Sequence, residues 1–73
     1  MSSRDILGKC LLLELLQRSY MTQADLATKT GISKSQINEY IKNTRMMTLP
    51  NAKLIANALK CHIDDLYEWN IWE

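Results

Sequence analysis

Two helix-start signals eleven residues apart, with one glycine between them, constrain this chain more than anything else in it. Thr22 is followed at the third position by Asp25, and Ser33 by Gln36. A Ser or Thr oxygen just before a helix accepts the N–H of the third helical residue. An acidic or amide side chain there can return a bond to the cap's own N–H. Thr30-Gly31-Ile32 lies between the two starts, and glycine is the natural residue where a chain leaves a helix with positive φ. Two short helices joined so tightly cannot run antiparallel over any length. They must cross steeply and leave the second one prominent. In that second helix Ile37, Tyr40 and Ile41 fall at i, i+3 and i+4 on one face. The opposite face carries Lys34, Ser35, Asn38 and Glu39, with Lys42 just beyond.

The 73 residues allow one small domain, 1–73, with the helix pair at 22–41. A chain of this size buries only about 60% of its unfolded surface, so its core must be efficient. A hydrophobic content of 47% excludes a disordered tail, and two glycines and one proline favour helices over many short strands. Residues 4–19 are predicted as a first helix with a wide apolar surface, from Ile6 and Leu7 to Leu15 and Leu16. Residues 42–47 read as a loop in which Asn43 takes a left-handed conformation cheaply. Thr48 caps a further helix with Pro50 in its first turn and Ala52, Ile55, Ala56 and Leu59 along one face. A short last helix starts near His62, with Ile63, Leu66 and Tyr67 inward and Asp64 and Asp65 at its positive end. The predicted fold class is all-α, a compact five-helix bundle.

The net charge of +1 is uninformative, but its distribution is not. Residues 29–45 hold Lys29, Lys34, Lys42 and Arg45 against Glu39 alone, a net +3, while residues 46–73 come to −2. The basic segment coincides with the second helix and the loop after it. Cys10 and Cys61 are too few for a metal site or a disulfide framework and read as small buried hydrophobes. His62 has no partners at metal or catalytic spacing and reads as a cap or surface residue. No phosphate-cradling glycine loop is present. The expectation is a protein that is not an enzyme, with no cofactor, metal or small-molecule ligand. The leucine-rich stretch 10–16 is interrupted by Glu14 and too short to span a membrane, and no signal-peptide cleavage site follows it. A cytoplasmic protein is expected.

The stretch TQADLATKTGISKSQINEYIKN resembles the Cro and phage-repressor helix-turn-helix family, also described as xenobiotic-response-element-like regulators. The matching residues are Gln23, Leu26 and Ala27, Gly31 in the turn, and Ile37 in the second helix. LIANALKCHIDDLYE resembles the family's last two helices, so the likeness runs over roughly residues 6–68. It implies the phage-repressor fold and double-stranded DNA as partner. Ser33, Lys34, Ser35 and Asn38 would then face the major groove, where lysine donates to guanine, asparagine reads adenine and serine serves several edges. Glu39 would accept from cytosine N4 or exclude wrong sequences. Gln23 and Thr22, at the start of the first motif helix, and Lys42, Asn43 and Arg45, after the recognition helix, would hold phosphates, which fix register and supply salt-dependent affinity. Members act as two-fold homodimers on palindromic operators. An arginine–glutamate pair common in relatives is replaced here by Leu16 and Ile41, a swap of charged for apolar partners that the core absorbs if the two pack. Asn43 stands where relatives often have glycine.

The aromatic tail 67–73 is open to two readings. Tyr67, Trp69, Ile71 and Trp72 form a flap over a small core, or a dimer interface, and the interface is the expectation adopted. The functional expectation is a sequence-specific transcriptional regulator, a repressor in particular. The competing reading is an antitoxin-like protein-interaction module on the same fold.

Overall fold

A computed structural model describes residues 6–71. In chain order they form strand β1 (Leu7–Cys10), helices α1 (Leu12–Arg18), α2 (Gln23–Thr30), α3 (Lys34–Ile41) and α4 (Leu49–Leu59), a single 3-10 turn (Ile63–Leu66) and strand β2 (Tyr67–Trp69). The helix starts lie where the capping residues put them. Thr22 Oγ1 accepts the Asp25 N–H and Asp25 Oδ2 accepts the Thr22 N–H, both at 3.0 Å. α2 ends at Gly31 with φ of 78°, as its position required. Ser33 Oγ accepts the Gln36 N–H at 3.1 Å, and Thr48 Oγ1 accepts that of Asn51 at 3.3 Å. His62 precedes the 3-10 turn, its N–H bonded to the Asp65 carboxylate at 2.9 Å.

The two ends of the chain depart from the all-α, five-helix expectation. The helix predicted over residues 4–19 is instead β1 followed by α1 (residues 4 and 5 lie outside the described range). The last helix is one 3-10 turn that runs straight into β2. β1 and β2 pair antiparallel, Leu7 opposite Trp69 and Cys10 opposite Tyr67, with an irregularity between. Further bonds extend this joint, from the Leu11 N–H to the Leu66 carbonyl at 2.8 Å and from the Asn70 N–H to the Ile6 carbonyl at 2.6 Å. Gly8 permits the close approach, because a Cβ there would lie 2.7 Å from Glu68 Cβ and 2.8 Å from the Glu68 carbonyl oxygen. An apolar run such as Cys10–Leu13 does not separate strand from helix by periodicity. The deciding partner is almost sixty residues away.

Leu12, Leu26, Ile37, Tyr40, Ile55 and Leu66 are fully buried, one or more from every helix and the 3-10 turn. Each such side chain contributes about 1.5–3 kcal/mol by leaving water. Leu16 is also buried, and Ile41 packs half-buried against the same cluster. This core grips the inner face of α3 and leaves its other face open.

Candidate nucleic-acid interface

α3 is held by Ile37 and Tyr40, both without solvent exposure. Its outer face presents Lys34 and Ser35 exposed, and Asn38 and Glu39 half-exposed, with Ser33 and Lys42 exposed at its two ends. The Ser33 and Thr22 oxygens are engaged as caps; the Ser33 hydroxyl keeps a proton to donate, while the Thr22 hydroxyl also bonds the Asp25 carboxylate. Gln23 opens α2, half-buried beside that start. The residues singled out as base readers therefore share one face, and Thr22 and Gln23 share the beginning of the preceding helix.

A polar clamp that sequence reasoning missed fixes this helix against α4. The Tyr40 hydroxyl accepts from Gln36 Nε2 at 3.2 Å and from Asn51 Nδ2 at 2.9 Å. A buried tyrosine needs a partner for its hydroxyl, and Gln36 stands four residues earlier on the same face, so half of the clamp was available to local reasoning. Asn51 was not, because only the packing of α4 brings it there. One consequence is that Gln36 does not complete the capping box expected at Ser33; among the described residues its side-chain bond goes to Tyr40.

The loop after α3 folds back on it. Asn43 has φ of 61°, the left-handed conformation expected of it. Its Oδ1 accepts the Cys10 N–H at 2.8 Å, which ties the loop to β1, and among the described residues its Nδ2 has no acceptor. The Thr44 N–H and hydroxyl both donate to the Glu39 carbonyl at 3.1 Å. Arg45 Nε reaches Glu39 Oε1 at 3.3 Å. Glu39 and Arg45, expected to face a base and a phosphate respectively, thus meet each other in the free protein. Lys34 and Lys42 have no carboxylate within 4 Å among the described residues.

A helix-turn-helix family model matches residues 12–66, from α1 to the end of the 3-10 turn. The chain belongs to the helix-turn-helix family of Cro and phage-repressor type. It is 38% identical over 66 residues to the SPbeta prophage-derived HTH-type transcriptional regulator YopS of Bacillus subtilis, covering 89% of either chain. It is 36% identical over 61 residues to the SPbeta prophage-derived HTH-type transcriptional regulator YotL of the same organism, covering 82% of this chain and 76% of the relative.

Within this helix-turn-helix domain the family match stops at Leu66, and β2 begins at the next residue. Tyr67 is buried, its hydroxyl accepting the Met47 N–H at 3.1 Å. Trp69 meets it edge-on with ring centroids 6.5 Å apart, and its Nε1 donates to the Asp64 carbonyl at 2.8 Å. This part of the tail closes the core. Trp69 and Ile71 nonetheless stay 44% and 61% exposed, while Trp72 lies outside the described residues.

Titration adds little chemistry to the site. Burial pushes both free thiols, Cys10 and Cys61, above the ordinary range, which favours their protonated form. Burial likewise raises the Tyr67 phenol. The hydrogen bonds from the Thr22 backbone and hydroxyl to Asp25 hold that carboxyl below its usual value. No helix among the described residues is long and apolar enough to cross a membrane.

Proposed function

We propose that this chain is a sequence-specific double-stranded DNA-binding transcriptional regulator, acting in the cytoplasm as a repressor. The observation that carries the reading is the outer face of α3: short polar groups, and lysines without an ion pair among the described residues, on a helix whose inner face is locked into the core. A helix of that width enters the major groove of B-DNA, and its exposed N-terminal side chains then reach base edges. Ser33, Lys34, Ser35 and Asn38 read bases, with Lys34 donating to guanine and Asn38 pairing with adenine. Thr22, Gln23, Lys42, Asn43 and Arg45 hold the backbone. Glu39 contributes at a base edge only after it exchanges Arg45 for the DNA. The relatives' description as HTH-type transcriptional regulators supports the same reading.

Repression follows from occupancy alone, since a bound domain of this size occludes a promoter without any activating surface. The chain works as a homodimer on a palindromic operator, with Trp69 and Ile71 supplying exposed apolar surface for the partner. Selection from random duplex DNA at low salt tests both parts at once. A palindromic consensus is the expected result. No preference for any duplex would instead favour the antitoxin-like interaction module. Alanine at Lys34 or Asn38 should weaken binding to the selected duplex by about 1–3 kcal/mol for each good base contact, and binding should weaken steeply with salt.

A further inference from the structure

The loop after the recognition helix does more than present its own cations, because it draws a strand alongside them. The Asn43 Oδ1 bond to the Cys10 N–H pins β1 beside this loop. An open cleft of about 490 Å³ lies between the two, lined by Gly8, Lys9, Asn43, Arg45, Met46 and Tyr67 among others, with no acidic residue in its wall. Lys9 is exposed and has no carboxylate within 4 Å among the described residues. The nearby strand β2 brings Glu68 against Gly8, yet it forms no ion pair with Lys9. Among the described residues Arg45 spends its Nε on Glu39 and keeps the two terminal nitrogens of the guanidinium, and Asn43 keeps its Nδ2. The cleft is thus bordered by three kinds of unused N–H donor from two separate parts of the chain.

We propose that this cleft holds a backbone phosphate of the bound DNA, with Lys9 as a phosphate-binding residue beside Asn43 and Arg45. The proposal rests on the DNA-binding reading and extends its footprint from the helix-turn-helix to the terminal sheet. Two cations and an amide, with Glu39 engaging only the Arg45 Nε, suit a single phosphodiester, and the mixed apolar wall of Met46 and Tyr67 suits the adjoining sugar. Asn43 acts twice, as a donor to the phosphate and as the tether that keeps Lys9 in reach. No base edge is touched, so the site supplies affinity and register rather than sequence preference.

The test compares Lys9→Gln, Lys9→Arg and Asn43→Gly in the full chain. Glycine at 43 keeps the left-handed backbone and removes only the side chain. Lys60→Asn serves as a charge control, because Lys60 lies at the end of α4 outside this cleft and asparagine tolerates its φ of 58°. Affinity is measured against salt for the selected duplex and for an unrelated duplex of equal length. The expected result is that Lys9→Gln weakens binding to both duplexes alike and makes the salt slope shallower by about 1, while Lys9→Arg keeps it. Lys9→Gln should lose part of its effect in the Asn43→Gly background, where β1 stays paired with β2 but is no longer tied to the loop. An unchanged slope, or one that changes no more than with Lys60→Asn, overturns the assignment. So does a cleft that binds inorganic phosphate while Lys9→Gln leaves duplex affinity untouched, since the occupant is then a free anion. If the parent protein binds no duplex at all, the DNA reading itself falls and the cleft falls with it; binding that ignores Lys9 sinks the cleft alone.

Discussion

The two helices of the motif begin with the same kind of local signal and end up differently built. α2 starts with a closed capping box, Thr22 and Asp25 bonding each other's backbone at 3.0 Å. α3 starts with half of one. Ser33 caps the Gln36 N–H, but the Gln36 amide turns to the Tyr40 hydroxyl, where Asn51 of α4 joins it. The start of the first helix is therefore closed by its own sequence neighbours, whereas the second is tied in addition to Asn51 of α4, with both helices packed on the shared core. For a helix proposed to meet DNA at a set angle, such a tie to the body of the domain is an advantage.

Substitutions that break this contrast are ranked by expected size. Removing the packing that both helices share comes first: Leu26→Ala should cost about 2–5 kcal/mol in urea unfolding, because Leu26 is fully buried where α2 meets the core. Tyr40→Phe comes next, at about 1–2 kcal/mol, since two amide donors lose their acceptor while solvent partly replaces it. A cycle with Gln36→Ala should be non-additive, and additive costs would show that the clamp does not hold α3. Thr22→Ala should cost about 1 kcal/mol, and more than Gln36→Ala does in the Tyr40→Phe background.

The smallest effect sharpens the contrast by pH. The Asp25 carboxyl is held below its ordinary value of 3.8 by its bonds to Thr22. A lowered folded pKa means that the stabilisation is fully present above the unfolded value and is lost as pH falls through the folded one. Melting temperature should thus drop slightly more steeply in acid for the parent than for Asp25→Asn. Equal acid limbs would mean that the box is not formed in solution. Gln36 offers no such titration, so the start of α3 should be indifferent to the same change.

How much was legible beforehand follows the same division. Thr22, Gly31, Ser33, Thr48 and the left-handed Asn43 all announced themselves, because each acts through backbone atoms only a few residues away. The polar face of α3 was legible for the same reason, being set by helical periodicity. Residues 7–10 were misread as helix because their character as a strand comes from pairing with Tyr67–Trp69. Glu39 and Arg45 were given separate tasks, whereas the fold of the loop brings them together at 3.3 Å. The Asn43 side chain was assigned to phosphate, and no local signal showed that its oxygen would accept the Cys10 N–H.

The capped pair of helices, the turn between them and the chemistry of the exposed face were thus determined by sequence alone, through bonds and spacings of three or four residues. Tertiary structure decided what those elements lean on: the Tyr40 clamp, the sheet that joins the two ends, and the cleft where Lys9 meets the loop. Hydrogen-bond donors and acceptors far apart in the chain choose partners only once the core has packed, and no local pattern records that choice.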